Sequence, residues 1–341
     1  MKRVAAALRA FAAEIAEAGA AMGRRVEVDL RGVADRSDSV ALQPPGLWSA
    51  NRSCRMVRAA DGWLAVNLPR ESDRASVPAW IGVAETADVW PAITRAARDA
   101  PSRELLDTAR LLGLAVSGLG EVEATTPFAP VIAFTPGASD RGGGPIRVVD
   151  LSSLWAGPLC GGVLAEAGAR VTKIESRGRP DVMRDSAPAF FRRLNGAKTL
   201  ERLDFQRAAD VARLGAAIDD AEVLITGARP RAFDQLGLSP EAVFARNPGL
   251  TWVAITGHGW TGEAADRIAF GDDAAAAGGL VRSTPGGAPR FIGDALADPL
   301  TGLAAAAGAL RALAAGGGVL VDAALARTAA GAVGLTRVDV R

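Results

Sequence analysis

Few side chains in this sequence are of types that do chemistry. There is one histidine, His258, so no multi-histidine metal site can form. The two cysteines, Cys54 and Cys160, make neither a disulfide framework nor a metal-ligand pattern. Carboxylates remain. Asp298 stands directly before Pro299, at the head of an alanine-rich stretch, residues 299–315, that reads as a helix. Free amides and the positive end of the helix dipole keep a carboxylate ionised there. Such a carboxylate is either a nucleophile or a helix cap with proline at the first helical position. On the residues alone, the cap is the plainer reading. Asp294 is the local competitor for the same role.

A carboxylate needs a frame, and residues 146–175 supply one. The apolar run 146–151 has the character of a strand buried on both faces. The turn Ser152-Ser153-Leu154-Trp155-Ala156-Gly157-Pro158 follows, then a small-residue helix over 159–167 stopped by Gly168, then a strand over 170–175. This is one βαβ unit with a right-handed crossover. Gly161 and Gly162 let its helix lie close to the sheet. The turn falls at the carboxyl end of the first strand, where open α/β sheets bind ligands. It carries no GxGxxG, so nicotinamide binding is not expected even though Glu175 ends the second strand. Arg177 and Arg179, just beyond it, suit phosphate. Lys198, Arg229 and Arg231 lie near other strand ends and would complete a basic rim, although each alone is also an ordinary surface charge.

The rest of the chain organises around this unit. Residues 1–22 read as an amphipathic helix, with Val4, Leu8, Phe11 and Ile15 as a stripe that docks on the body. Residues 24–47 read as an irregular approach. In 48–122, two β-like runs, 54–58 and 63–68, flank Ala59-Ala60-Asp61-Gly62, a hairpin signal. Helical patterns cover 77–82, 89–98 and 102–112, the last with Leu105, Leu106, Leu111 and Leu112 as its apolar face. These form a small α+β domain. Prolines and Gly142-Gly143-Gly144 mark 123–145 as a linker. From 146 to 341 strands and helices alternate, which predicts an open, mostly parallel sheet with flanking helices, Rossmann-like in class. Its strands are expected at 198–203, 222–226, 250–256 and 319–323, and its helices at 207–221, 240–246, 272–280 and 299–315.

Composition excludes several classes. The 341 residues carry a formal net charge of +1, which gives no reason to expect nucleic acid or an anionic membrane as a partner. No apolar run reaches the roughly 18–20 residues a membrane span requires. Arg9 and Glu14 interrupt the first helix, so it does not read as a signal peptide. Unpaired cysteines make a reducing cytoplasm the default.

The series Val148-Val149-Asp150-Leu151, Trp155-Ala156-Gly157-Pro158, Ala167-Gly168-Ala169 and Lys173-Ile174-Glu175 resembles the opening of the family III CoA-transferases. These are the formyl-CoA and carnitine-CoA transferase type, related to the α-methylacyl-CoA racemases. The likeness continues through Asn195 to Lys198, Leu236-Gly237-Leu238, Asn247-Pro248-Gly249-Leu250, Gly271-Asp272-Asp273 and Asp322-Ala323-Ala324-Leu325. Its decisive piece is Asp294-Ala295-Leu296-Ala297-Asp298-Pro299-Leu300-Thr301-Gly302, similar to the family's nucleophile segment. The resemblance implies that Asp298 is the catalytic nucleophile of a CoA-transferase. That enzyme would move CoA between an acyl-CoA and a carboxylic acid through an acyl-aspartyl anhydride and an aspartyl-CoA thioester. CoA is then a substrate, with no permanently bound cofactor and no metal.

The CoA-contacting residues implied are Trp155 and Ala156 along the pantetheine or acyl group, with Arg177, Arg179, Lys198, Leu203 and Arg229 around the nucleotide. Two alternatives stay open: a racemase-like isomerase with two acid/base groups, and a non-catalytic acyl-CoA-binding subunit. The small domain resembles the family's second domain but precedes the first, as in a permuted chain. A homodimer, or a dimer with a related chain, is the expected assembly. Three positions depart from the pattern: Trp155 stands where many transferases have a glutamine-type residue, residues 49–53 lack the glycines of the family's lid loop, and Gly227-Ala228 replace an asparagine–aromatic pair.

Overall fold

A computed structural model describes residues 2–85, 88–123, 130–135 and 144–334. The helix Lys2–Ala21 forms, and Val4, Leu8, Phe11 and Ile15 are buried along the helix Ala297–Ala314. Each such side chain contributes about 1.5–3 kcal/mol of apolar burial. The irregular approach that follows holds one short helix, Leu30–Ala34, capped by Asp29, whose Oδ1 accepts from Arg31 N.

The small module is an antiparallel sheet covered by helices. Strands β1 (Cys54–Arg58) and β2 (Trp63–Asn67) make the expected hairpin, and β3 (Ala115–Gly118) adds to the free edge of β2. Four residues carry too little alternation for β3 to have been read from the sequence. The turn residue Asp61 accepts from Ser102 N at 2.8 Å and so starts the helix Ser102–Leu112. That helix turns Leu105 and Ala109 inward, one turn apart, but not the whole expected face. Leu111 is 82% exposed because it lies about 120° around the helix from Leu105, and Leu112, on the same side as Leu105 but the last residue of the helix, is 39% exposed. The module does not stand on its own core alone. Cys54, Met56 and Ala65 pack against Ala276 and Phe291 of the larger part.

The large sheet comprises β4 (Val131–Ala133), β5 (Arg147–Asp150), β6 (Arg170–Ser176), β7 (Thr199–Leu203), β8 (Val223–Thr226) and β9 (Thr251–Thr256). After a separate two-residue ladder of β10 (Arg282–Ser283) and β11 (Pro289–Arg290), it is completed by β12 (Val319–Ala324). The order is β4-β12-β9-β8-β5-β6-β7, parallel throughout except for β4. The fold is therefore α/β, an open and mostly parallel sheet with helices on both faces. Within 123–145, the stretch read as a linker, the three residues of β4 pair with β12, too short a run to show a pattern in the sequence. Residues 124–129 and 136–143, including Gly142 and Gly143, lie outside the described residues. Among residues 144–334 four further α-helices were not expected, Met183–Ser186, Pro188–Asn195, Pro230–Gln235 and Leu325–Gly334, nor was the short helix Glu71–Ala75 of the small module.

The chain runs outward from β5 through β6 to β7, then returns to lay β8 on the other side of β5. The order reverses between β5 and β8. A crevice forms outside the carboxyl ends of the strands at such a switch point, because the two connections leave in opposite directions.

Candidate active site

The turn after β5 is braced from below by two buried lysines. Lys198 Nζ reaches Asp150 Oδ2 at 2.7 Å, Pro158 O at 2.8 Å and Asn195 Oδ1 at 2.9 Å, so all three of its donors are taken. Lys173 Nζ binds Ser152 O and pairs with Asp181 at 3.2 Å, while the Asp181 carboxylate accepts from the amides of Leu154 and Met183. Burial pushes the Asp150 carboxyl up, but Lys198 and Lys173 outweigh it and hold it below its usual range. Removing one lysine would strand a buried carboxylate at a cost of about 3–5 kcal/mol. Gly161 makes the Lys198 pair possible: a Cβ there would lie 2.8 Å from Asp150 Oδ2 and 2.9 Å from Lys198 Nζ.

Above this turn lies a cleft of about 350 Å³ at the switch point. Its walls are residues 152–154, 156 and 157 after β5, residues 227–229 after β8, and residues 255–257 at the end of β9. Ala265, residues 267–270 and Arg70 of the small module close the far side, and Asp298 faces into it. A neighbouring depression of about 300 Å³ shares Arg70, Arg229 and Ile268 with the cleft and adds Arg110 and Arg231. Arg229 is held below the usual arginine range by burial and then by its like-charged neighbours Arg231, Arg70 and Arg179, with Asp266 acting the other way.

Of the residues expected from the sequence, Asp298, Ala156, Arg179 and Arg229 line one cleft. The others stand elsewhere. Lys198 is buried under the turn and is not on the basic rim. Leu203 sits in the core on the opposite side of the sheet from the helix Ala156–Glu166. Arg177 is exposed beyond β6 and does not border the cleft. Trp155 is buried with its ring against Phe190, and its Nε1 donates to Val33 O at 3.1 Å. Its indole therefore faces the N-terminal segment, since the turn that exposes Ala156 to the cleft points residue 155 the other way.

Asp298 belongs to a cluster of four carboxylates. Gly271 supplies the room: a Cβ there would lie 2.2 Å from Asp298 Oδ2 and 2.5 Å from Ala295 O. The helix Gly271–Ala277 that begins at this glycine carries Asp272 and Asp273 in its first turn. Asp272 accepts from Ala295 N and from Asn51 Nδ2, both at 2.8 Å. Asp273 accepts from Asn67 Nδ2 at 2.8 Å and Phe270 N at 2.9 Å. Asp294 accepts from Asn51 Nδ2 at 2.8 Å and from Arg36.

Crowding and dryness raise these carboxyls. Burial raises Asp272 to about 6, helped by Asp294. Burial raises Asp273 to about 7 against the pull of Asn67 and the Phe270 amide. Burial raises Asp298 to about 7; Arg36 opposes it while Asp272, Asp294 and Asp273 add to it. His258 stays outside the cleft lining and neutral, pushed down to about 3 by burial and by Arg267.

Arg36, Asn51, Asn67 and Arg70 were not expected from the sequence. Each lies far along the chain from Asp298, and no spacing ties it to that residue. Asp272 and Asp273 left a signal: two adjacent acids opening an otherwise apolar helix.

The profile of CoA-transferase family III matches residues 145–338, more than half of the chain. The chain belongs to CoA-transferase family III. It is 32% identical over 177 residues to succinyl-CoA–D-citramalate CoA-transferase of Chloroflexus aurantiacus, a stretch that is 49% of this chain and 44% of that protein. It is 33% identical over 180 residues to the alpha subunit of succinyl-CoA–L-malate CoA-transferase of the same organism, covering 49% and 42%. A crystal structure of a CaiB/BaiF family protein from Brucella suis superposes with a TM-score of 0.51 at 30% identity, covering 55% of this chain and 53% of that one. The chain thus matches about half the length of these relatives. The family match begins at residue 145, so the small module and the N-terminal segment that carry Arg36, Asn51, Asn67 and Arg70 lie ahead of it.

Proposed function

We propose that this chain moves CoA between an acyl-CoA and a carboxylic acid, with Asp298 as the nucleophile. The observation that carries the reading is that Asp298 opens onto the cleft at the β5/β8 switch point, in space that Gly271 leaves clear. An Asp298 oxygen attacks the thioester carbonyl carbon. A C–O bond forms, the C–S bond breaks, and the electron pair leaves on the CoA thiolate, giving an acyl-aspartyl anhydride. The thiolate then attacks the aspartyl carbonyl, releases the first acid as its carboxylate and leaves an aspartyl-CoA thioester. An acceptor carboxylate attacks this thioester, and the freed thiolate takes the new acyl group, which restores Asp298. Arg179, Arg229 and the adjoining Arg231 supply charge-assisted donors for the CoA phosphates, and the residues around Ala156 lie along the pantetheine.

A racemase-like isomerase needs a second acid/base group facing the substrate. The nearest carboxyl, Asp272, has both oxygens engaged by Ala295 N and Asn51 and does not line the cleft, which disfavours that reading. The small module is read as the family's second domain placed first, and the working assembly as a dimer.

The test is intact mass spectrometry after incubation with acyl-CoA, on the wild type and on Asp298→Asn. Asparagine keeps the shape but lacks the nucleophilic carboxylate; Asp298 lies inside the helix Ala297–Ala314 and its side chain makes no cap hydrogen bond, so no capping interaction is lost. The expected result is a covalent adduct on Asp298 in the wild type, and a folded, CoA-binding, adduct-free and inactive Asp298→Asn. Turnover in Asp298→Asn, once deamidation is excluded by mass, removes Asp298 from the mechanism. Exchange of the α-proton without an adduct points to the isomerase, and binding with neither points to a non-catalytic subunit.

A further inference from the structure

Four carboxylates converge at Asp298, and the cation built into their midst comes from outside the family-matched residues. Arg36 follows the short helix Leu30–Ala34. Its Nε donates to Asp294 Oδ2 at 2.6 Å and its Nη2 to Asp294 Oδ1 at 3.0 Å, a two-pronged pair. The side chain is only 13% exposed. Its guanidinium lies 4.9 Å from the centre of the Trp155 ring, and the same indole donates to Val33 O, three residues before Arg36. Arg193 pins the segment from the other side, through Asp35 O and the Asp38 carboxylate. The guanidinium is thus fixed by a fork, a flat aromatic platform and a tethered backbone. A rotamer-rich surface arginine has none of these.

The placement has a chemical consequence. Asp272 and Asp273 rest on neutral donors, the two asparagines and two amides. Asp294 alone takes the arginine directly. Among the described residues no hydrogen bond reaches the Asp298 carboxylate, so its ionisation is governed by the field around it. We propose that Arg36 is a positioning residue for the nucleophile: by pairing with Asp294 it offsets one of the cluster's competing charges, and its fixed guanidinium favours the ionised form of the Asp298 carboxylate that must attack. This rests on Asp298 being the nucleophile. It also gives Trp155 a role, as the platform that holds Arg36 in place.

Every charged group facing Asp298 enters the argument. Arg36 opposes the raised titration of Asp298, and Asp272, Asp294 and Asp273 add to it. Arg70, Arg179, Arg229 and Arg267 line the same cleft and are left untouched by the variants below.

The experiment is a titration of Asp298 by NMR in protein labelled with 13C at the aspartate carboxyl, its signal assigned by loss in Asp298→Asn. In Arg36→Gln the midpoint should move up by about one pH unit or more, as expected for losing a nearby opposite charge. Arg36→Lys, which keeps the charge without the fork, should move it less. Arg36→Gln combined with Asp294→Asn removes both charges and should bring the midpoint back toward the wild type. The double variant also buries no unpaired carboxylate, so it serves if Arg36→Gln does not fold. A residue that only braced the fold would lower stability in these variants without this ordering. An Asp298 midpoint unchanged in folded Arg36→Gln overturns the proposal, as does a double variant shifted upward from the wild type by the amount expected for Arg36→Gln. The readout needs no turnover. The ordered shifts in a protein that forms no acyl adduct would sink the transferase reading while leaving the Arg36 effect intact; unshifted titration in an active enzyme would do the reverse.

Discussion

Asp298 titrating at about 7 sets a tension in the chemistry. As the proposed nucleophile it must be ionised, yet it sits where ionisation is costly, so near neutrality a large fraction of it is protonated. The compensation is reactivity: a poorly solvated carboxylate is a better nucleophile than one stabilised by water or a tight ion pair. If Asp298 attacks the thioester, the rate of adduct formation at low acyl-CoA should rise with pH through an apparent midpoint of about 7. A midpoint near the ordinary aspartate value of about 4 would mean that the carboxylate lies in a wetter place than this site provides.

At the scale of elements, the site is a meeting of two helix starts. The helices Gly271–Ala277 and Ala297–Ala314 begin side by side, and the missing side chain of Gly271 lets Asp298 occupy the gap. Gly271→Ala keeps helix propensity but puts a methyl where Asp298 Oδ2 and Ala295 O now stand. The carboxylate must move, and turnover should fall about 100-fold, as for a reacting group displaced by about 1 Å. Overpacking should cost about 1–3 kcal/mol, read from urea melts. Full activity in Gly271→Ala would show that Asp298 works from another position.

At the scale of the molecule, the buried acids make stability depend on pH. Asp272, Asp273 and Asp298 are raised to about 6, 7 and 7, so between about pH 4 and 7 the folded state keeps protons that the unfolded chain has released. Their contribution to stability therefore falls as pH rises through that window. His258, lowered to about 3, acts oppositely, because below about pH 6.5 the unfolded chain takes up a proton that the folded state refuses. Asp273→Asn isolates the acid effect. Its amide oxygen can still accept from Asn67 and the Phe270 amide, so the melting temperature of the variant should gain on the wild type from pH 5 to about 7 and level off above that. A constant difference across that range would show that Asp273 is not protonated in the folded state. Assembly belongs to this scale too. The apolar face of the small module rests on this chain's own Ala276 and Phe291, so it does not itself require a partner. The proposed dimer predicts sedimentation as two copies at micromolar concentration, and an active monomer would remove it.

Much of this was legible along the chain because it depends on near neighbours. The alternating strands and helices from β5 to β12, the Asp-Gly hairpin and the alanine-rich helix that carries Asp298 are each encoded within a few residues, although that helix starts at Ala297, two residues before Pro299. Local pattern therefore also carried the family's nucleophile segment and the turn at the end of β5. What the chain order hid is the company those residues keep. Lys198 has the composition of a rim cation, but folding places Asp150, Asn195 and Pro158 around its ammonium and buries it. Trp155 reads as a ligand contact by its place in the turn, but packing points its ring at Arg36 and Phe190. Arg36 lies 258 residues from Asp294, in a stretch with no regular pattern, and Asn51 lies 221 from Asp272. No sequence period spans such distances. Only the docking of the N-terminal segment and the small module onto the sheet brings a cation and two amides to the four acids. Carboxylates drawn so close repel one another, and what decides which of them ionises is the tertiary arrangement of charge around them.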